Sequence, residues 1–270
     1  SLGWRPQENR GVAGIKATYL GVRLHLLPLF GKLVELMDMK SKNEGLITDM
    51  FAAGAHFGYS RSRRHPSVNQ FIFGAKGGVE ILDLEKTSAE LERAKDFVKT
   101  LAKTGKQLLF VGTKNEGKKA VEDGALSVDM PFVAERWVGG ILTNFSEIKR
   151  RIALLEDLRA KREKGELSMY TKKERLLIDK DIERLERNFA GLVSMKDMPA
   201  ALFVIDPKKE MIAVKEAQFL GIPVVALANS DCNLREIELP IPGNDSSVAS
   251  ITFFIGQITQ AFKDGRESKE

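Results

Sequence analysis

Residues 112–119 have the glycine and lysine spacing of a phosphate-binding turn. Gly112, Gly117 and Lys118 follow a short apolar run that reads as a strand. After a strand, such glycines let backbone N–H groups converge on an anion, and the lysine adds a positive charge. A nucleotide-hydrolysing P-loop needs Ser or Thr at the next position, because that hydroxyl binds Mg²⁺. Here the position holds Lys119, so the sequence favours an ordinary strand-to-helix turn over an NTPase.

The other reactive side chains do not form a recognisable catalytic or metal site. Asp206 ends an apolar run, but such runs often end in Asp because the chain turns there. The single cysteine, Cys232, excludes an internal disulfide framework and suits a reducing compartment. The three histidines, His25, His56 and His65, lack metal-ligand spacing with cysteine or carboxylate partners. We therefore expect no metal and no cofactor.

The composition is that of a folded, mildly basic protein. The chain has 270 residues, 43% of them hydrophobic, which is enough for a sizeable core in one domain or two. The formal net charge is +5, although both signs of charge are abundant. This balance favours polyanionic partners without establishing one.

The first forty residues are apolar but interrupted. Arg23, His25, Pro28 and Lys32 break the stretch, so no run approaches the roughly 18–20 apolar residues of a membrane span. The segment contains several basic residues and is poor in acids, as transit peptides are, but it is also poor in serine. We favour an extension outside the functional fold over a targeting segment, and we expect no membrane association.

From Glu44 onward, short apolar runs alternate with amphipathic stretches, which predicts an α/β fold with a parallel sheet covered on both faces. Two short strands are expected around the turn at Lys76-Gly77-Gly78. The other predicted strands are 107–111, 131–133, 201–205, 222–227 and 237–241. The predicted helices include 86–104, 115–127, 208–220 and 246–263.

Residues 141–195 differ from this alternation because about half of their central positions are charged. One apolar stripe runs through Ile148, Ile152, Leu155 and Leu158. The second predicted stripe consists of Leu177, Ile182, Leu185, Phe189 and Leu192. Two such helices joined at Gly165 predict an antiparallel coiled-coil hairpin. Its charges suit a solvated surface, and the alternative is a protrusion that reaches a partner.

Two stretches combine arginine with aromatic or glycine residues. Arg61, Arg63 and Arg64 precede His65 in a loop whose sequence has no acidic residue, so we favour RNA contact over a plain solvent loop. The second stretch contains Arg136, Trp137, Gly139, Gly140, Thr143 and Asn144. A tryptophan there can stack on a base, although core packing is the preferred interpretation for this side chain alone. Composition alone leaves open a polyanion-binding scaffold and an α/β enzyme acting on a phosphorylated ligand.

These same stretches carry a resemblance to a known family. The segments AGAHFG (53–58), FVGTK (110–114), ERWVGGILTNF (135–145), ALFVIDPKKE (201–210) and IPGND (241–245) resemble the bacterial second protein of the small ribosomal subunit. Further matching segments are FIFG, DLEKT, TKKE and AVKEAQFLGIPVVAL, and together they extend in order from about Met39 to Gly265.

The resemblance implies a flavodoxin-like (Rossmann-like) parallel sheet with an inserted coiled-coil hairpin and no enzymatic activity or small-molecule substrate. It implies a structural role in the small subunit, contacts with rRNA and other subunit proteins, and recruitment of the large first protein that handles mRNA. The implied location is the bacterial ribosome in the cytoplasm, with an organellar ribosome as the alternative. The predicted RNA-binding residues are Arg61, Arg63, Arg64, His65, Lys76, Lys114, Arg136, Trp137, Thr143 and Asn144.

The predicted organisation has four parts. These are an N-terminal extension over 1–40, an α/β domain formed by 41–140 and 196–265, the hairpin over 141–195, and a tail over 266–270. Two positions depart from the family pattern, since Arg64 and Ser67 stand where the family often has Trp and Lys. A stacking contact at position 64 is therefore not expected, while positive charge is gained. The family's Asp-Thr-Asn is replaced by Asn229-Ser230-Asp231, which keeps a polar turn.

Overall fold

The computed structural model describes residues 44–268 and divides the chain into two units, 1–48 and 49–270. Of the first unit only 44–48 are described, and they belong to a helix, α1, over 44–52. The predicted N-terminal extension over 1–40 lies outside the described residues.

A five-stranded parallel sheet forms the centre of the second unit, which confirms the predicted fold class. Its strands are β4 (Leu108–Val111), β5 (Phe132–Val133), β6 (Ala201–Ile205), β7 (Val224–Ala228) and β8 (Leu239–Pro242), in the order β5-β4-β6-β7-β8. Every residue of β4, β6 and β7 is buried. Parallel strands covered on both faces have continuous apolar runs, and for this reason the sequence predicts these strands.

Helices cover the two faces of this sheet. They are α2 (Leu84–Lys103), α3 (Lys118–Leu126), α6 (Met211–Phe219) and α7 (Val248–Glu267). Helix α2 begins where the Asp83 carboxylate accepts hydrogen bonds from the backbone N–H groups of Glu85 and Lys86. Helices α2 and α7 pack closely against each other. A Cβ added to Gly265 of α7 would lie only 2.6 Å from the Lys99 carbonyl oxygen of α2.

Three further strands form a second, antiparallel sheet that is separate from the parallel one. It contains β1 (Phe57–Ser60), β2 (Ile72–Lys76) and β3 (Val79–Leu82), in the order β1-β3-β2. The predicted turn joins β2 to β3, and Gly77 and Gly78 both have positive φ, 60° and 82°. Two-residue hairpins require that conformation, and glycine adopts it without steric cost. The sequence pattern did not indicate that these strands form a sheet of their own.

The inserted segment contains helices α4 (Phe145–Glu163) and α5 (Lys172–Phe189). Arg159 Nε on α4 lies 2.8 Å from Glu186 Oε1 on α5, so the two helices are side by side. The first predicted apolar stripe is buried or partly buried. The prediction that Leu177 belongs to the second apolar stripe is wrong. Its side chain is 53% exposed, and Ile178 packs against the core instead. Ile178 is four residues before Ile182 and so shares its side of the helix. The coiled-coil character of the pair stays a prediction.

The hydrophobic core of one sheet face continues into the base of these helices. Leu109 and Val111 of β4 belong to the same buried cluster as Ile152 of α4 and Ile182 of α5. The domain boundaries at 141 and 195 stay a prediction. None of the helices in the described part of the chain has the length and apolar character needed to cross a membrane.

Candidate RNA-binding surface

The carboxyl ends of the parallel strands meet at one edge of the sheet, and most of the predicted site residues follow those ends. In open α/β sheets this edge is the usual place for a ligand. Lys114 comes after β4, and Arg136 to Asn144 come after β5. The turn that carries Arg61 is held against the same edge, because Tyr59 N–H donates to Ser230 Oγ at 2.8 Å after β7.

Lys114 is engaged inside the protein rather than presented to solvent. Its Nζ lies 2.9 Å from Asp206 Oδ2 and 2.9 Å from Asp245 Oδ2, and the lysine side chain is only 15% exposed. Tyr59 Oη is 3.2 Å from the same nitrogen. Asn229 Nδ2 donates to Asp245 Oδ1 at 2.8 Å, so the other carboxylate oxygen is also satisfied. The Lys114 ammonium and its two carboxylate partners therefore occupy this edge of the sheet.

The electrostatics of this cluster keep the lysine charged. Burial alone would lower the pKa of the Lys114 ammonium, but Asp245 and Asp206 raise its pKa well above the usual value. Nearby, burial raises the pKa of the Glu210 carboxyl, although hydrogen bonds from the Thr113 N–H and hydroxyl oppose that shift.

The sequence pattern did not single out Asp245, Asn229 or Glu210 as part of this site. The only signal available for Asp245 was its place in the IPGND segment.

The glycine-bearing turn after β4 does not have the chemistry of a nucleotide site. Lys118 Nζ lies 2.7 Å from Glu135 Oε2, so its charge is paired with a carboxylate from the loop after β5. Lys119, in the place of the Mg²⁺-binding hydroxyl, is exposed. Within the described residues no group of His, Cys, Asp and Glu is placed to hold a metal ion.

One carboxylate organises the loop after β5. Glu216, on α6, accepts hydrogen bonds from Trp137 Nε1 at 3.2 Å and from Gly140 N–H at 2.7 Å. Its second oxygen accepts from the N–H groups of Leu142 and Thr143 and from the Thr143 hydroxyl, each at 3.1 Å. The donors come from both ends of the RWVGGILTNF stretch, so a single side chain fixes the path of the loop.

The same contacts determine the ionisation of Glu216 and the role of Trp137. Burial alone would raise the pKa of the Glu216 carboxyl, but the donors from Gly140, Thr143, Trp137 and Leu142 hold its pKa below the usual value. Trp137 is 6% exposed, so the preferred interpretation of a core tryptophan agrees with its position. Sequence reasoning missed Glu216, which reads as an ordinary helix glutamate.

Arg136 and Asn144 are exposed on the loop that Glu216 organises. No described carboxylate lies within ion-pair distance of Arg136, whereas Glu135 beside it is paired with Lys118. The loop therefore exposes a cation while its own acidic residue, Glu135, is paired with Lys118.

The arginine turn divides into exposed and paired members. Arg61 and Arg63 are exposed on a short 3-10 turn, Arg61–Arg63, and no described carboxylate lies within ion-pair distance of either. The Arg63 guanidinium lies over the Tyr59 ring, 5.6 Å from its centroid. The two side chains thus remain available to an external anion.

Arg64 corrects the expectation that this loop has no acidic neighbour. Its Nη1 lies 3.0 Å from Oε1 of Glu80, whose side chain is only 1% exposed. Glu80 belongs to β3, sixteen positions further along the chain, so the sequence of the arginine loop could not predict this ion pair. Arg64 neutralises a buried carboxylate, and its charge is already partnered.

His65 and Lys76 complete the predicted set. His65 N–H donates to the Ser230 carbonyl at 2.8 Å, and its Nδ1 is 2.8 Å from Ser67 Oγ. Ser67 Oγ also accepts from Leu234 N–H at 3.0 Å, so both residues hold the loop in place. Lys76 is exposed at the tip of the β2–β3 hairpin. The structure brings Arg63 and Lys114 together at Tyr59 and places Lys76 on a different element.

The sequence matches a described family over most of its length. Residues 50–265 match the family model described as ribosomal protein S2. The chain is 41% identical over 224 residues to small ribosomal subunit protein uS2 of Chloroflexus aurantiacus, which covers 83% of this chain and 94% of that protein. It is also 41% identical over 218 residues to uS2 of Acidothermus cellulolyticus, which covers 80% and 79%. The uS2 of a Nitratiruptor species is 41% identical over 222 residues, which covers 82% and 83%.

Proposed function

The chain belongs to the ribosomal protein S2 family, whose members are structural proteins and not enzymes, and we propose that it binds rRNA as a constituent of the small ribosomal subunit. The relatives named above are all small ribosomal subunit proteins. We further propose that it works on the bacterial ribosome in the cytoplasm and helps to recruit the large first protein of the subunit. The family resemblance supports that last role.

The observation that carries the RNA-binding proposal is the exposed pair Arg61 and Arg63. Both side chains project from one 3-10 turn, and described carboxylates neutralise neither. Guanidinium groups bind phosphate through two parallel hydrogen bonds, and unpaired ones do so without first losing an internal partner. Tyr59 beneath Arg63 adds an aromatic face at the same place.

A second basic position supports the same surface from the loop after β5. Arg136 is exposed, and the backbone that carries it is fixed by the Glu216 carboxylate. A cation on a rigid loop loses little conformational entropy when it binds a phosphate. We assign phosphate contact to Arg61, Arg63 and Arg136, and structural support to Arg64, His65, Lys114, Trp137 and Thr143. Lys76 and Asn144 stay in the predicted RNA-binding set as exposed residues on other loops.

Reconstitution of the small subunit tests this proposal. Particles that lack this protein are incubated with the wild-type chain or with Arg61→Ala/Arg63→Ala, and bound protein is measured after sedimentation. We expect the wild type to co-sediment and the double variant to require a higher concentration for the same occupancy. Lys103→Ala/Lys106→Ala is the matched control, since it removes two exposed lysines at the opposite, amino end of the sheet. Equal incorporation of the double variant and the wild type would refute the assignment of these arginines.

Recruitment of the first protein needs a separate measurement. Particles reconstituted with and without the wild-type chain are mixed with purified first protein, and the bound amount is quantified. We expect retention only in the presence of this chain. Equal retention in both preparations would refute the recruitment role and leave the RNA-binding role standing.

A further inference from the structure

Helix α6 presents an apolar face that no described element covers. Met211, Ile212 and Phe219 are 49%, 56% and 81% exposed, and Leu220, directly after the helix, is 39% exposed. Met211, Lys215 and Phe219 are four residues apart, so they form one ridge along the outer side of the helix. Exposed large apolar side chains are usual when single, but several of them on one side of a single helix indicate a contact surface.

The inner side of the same helix is fully used by the fold. Ala213, Val214 and Ala217 belong to the buried cluster under the sheet, and Glu216 is held by the loop after β5. The helix therefore cannot turn its outer side chains inward without losing those contacts. Their exposure is imposed by the fold.

The exposed charges that the helix segment itself contributes to this face are positive. Within 207–221 the acidic residues are Glu210 and Glu216, which are 3% and 9% exposed. Lys209 and Lys215 are exposed, and Lys215 lies in the middle of the ridge. An occupant with carboxylates beside an apolar stripe would complement this face in both charge and polarity.

We propose that the outer face of α6 is a docking surface for an acidic amphipathic helix of another protein. A ridge spaced by four residues matches the grooves of a second helix. A second copy of this chain is unfavourable, because a twofold interface centred on the ridge would oppose the two Lys215 ammonium groups. Nucleic acid is a poorer match, since one central lysine among Met, Ile and Leu offers few phosphate contacts. This surface uses none of the proposed RNA-binding arginines, and the proposal does not depend on them.

Peptide binding to the purified full chain tests the proposal. Two labelled helical peptides of about 18 residues, five turns, share one leucine face and differ only in flanking Glu or Lys. Fluorescence anisotropy should show binding of the Glu peptide at least about tenfold tighter than that of the Lys peptide. The variant Ile212→Ser/Phe219→Ser should weaken the Glu peptide by about tenfold or more, as expected for loss of central apolar contacts. Leu154→Ser/Leu176→Ser, which alters similarly exposed leucines on α4 and α5, should leave binding unchanged.

Charge reversal makes the test specific for the occupant. Lys215→Glu should invert the preference, so that the Lys peptide binds more tightly than the Glu peptide. Equal binding of both peptides, no binding, or an effect of the leucine control as large as that of the α6 variant would overturn the proposal. Tighter binding of a labelled RNA oligonucleotide, lost in Ile212→Ser/Phe219→Ser, would overturn it in favour of nucleic acid. Self-association of the wild type in sedimentation, abolished by that variant, would overturn it in favour of a second copy.

Discussion

Arg64 Nη1 lies 3.0 Å from Oε1 of Glu80, and this contact joins the arginine turn to a carboxylate that is 1% exposed. A buried charge without a partner is strongly unfavourable, so the pair fixes Arg64 in the fold. Arg61 and Arg63, from the same short turn, have no such partner among the described residues. Three arginines that look equivalent in the sequence therefore have two different roles.

The first prediction concerns the stability of this pair. Arg64→Ala should lower the free energy of unfolding by about 3 kcal/mol, because the Glu80 carboxylate would stay buried and unpaired. Arg64→Ala/Glu80→Ala should lose less than the sum of its single variants, as contacting residues do. Arg61→Ala/Arg63→Ala should change stability by less than about 0.5 kcal/mol. Urea denaturation measures all of these, and a neutral Arg64→Ala would contradict the structural role.

The second prediction concerns the salt dependence of RNA binding. If Arg61 and Arg63 each contact one phosphate, Arg61→Ala/Arg63→Ala removes about two released counterions. The slope of log affinity against log salt should fall by roughly 1.4–1.8, at 0.7–0.9 per contact. Filter binding to an rRNA fragment across a salt series provides the measurement, with Lys103→Ala/Lys106→Ala as the control. A slope that matches the wild type would place this turn in solvent.

The third prediction concerns Glu216 and the loop after β5. Glu216→Gln should destabilise the fold by about 2–3 kcal/mol, because an amide cannot accept all the hydrogen bonds that the carboxylate receives. Glu122→Gln, an exposed change on α3, should stay within about 0.5 kcal/mol. Urea denaturation of both variants at neutral pH makes the comparison, and equal effects would show that the carboxylate is dispensable.

The pH dependence follows from the lowered pKa of Glu216. A carboxylate with a folded-state pKa below its unfolded value stabilises the fold above the unfolded value of about 4.3. That contribution is lost as pH falls through the lower folded-state pKa. The stability difference between wild type and Glu216→Gln should therefore shrink on acidification below about pH 4.3. A difference that stays constant down to pH 3 would show that the carboxylate's pKa is not lowered by the loop.

The fourth prediction concerns the lysine between two carboxylates. Lys114→Met should cost about 3 kcal/mol at neutral pH, because Asp206 and Asp245 would face each other without a cation. Burial and the neighbouring Asp206 charge already raise the pKa of the Asp245 carboxyl, and Lys114 opposes that shift, so the variant should regain stability as pH falls from 8 to 5. The wild-type contribution of Lys114, whose pKa is raised, is fully present below about pH 10.4 and so stays constant over that range. Lys119→Met, an exposed control, should show neither effect in urea denaturation.

The fifth prediction concerns nucleotides. Lys118 is paired with Glu135, and Lys119 replaces the hydroxyl that would bind Mg²⁺, so Mg-ATP should not raise the melting temperature. A ligand at about 100 times its dissociation constant adds roughly 2.7 kcal/mol of stability, which a thermal melt detects readily. A shift of that size that disappears in Lys118→Ala would contradict the structural interpretation of this turn.

The local elements and the family can be predicted from neighbouring residues along the chain. The buried strands β4, β6 and β7 are continuous apolar runs, and the glycine pair at 77 and 78 determines the β2–β3 turn, because these features depend on neighbours along the chain. Motifs such as ERWVGGILTNF were sufficient for the family resemblance.

Which charged residues are paired and which are exposed depends on contacts between distant parts of the chain. Lys114 is hydrogen-bonded to Asp245, which is 131 residues away along the chain, and Gly140 to Glu216, which is 76 residues away. Such pairs form where loops from different strands converge at one edge of the sheet, and no local pattern encodes that convergence. The sequence therefore predicted a basic surface, whereas the fold assigned Arg64, Lys114 and Trp137 to its support and left Arg61, Arg63 and Arg136 exposed. The physical reason is that a charge buried by the fold needs a partner, and an exposed charge does not.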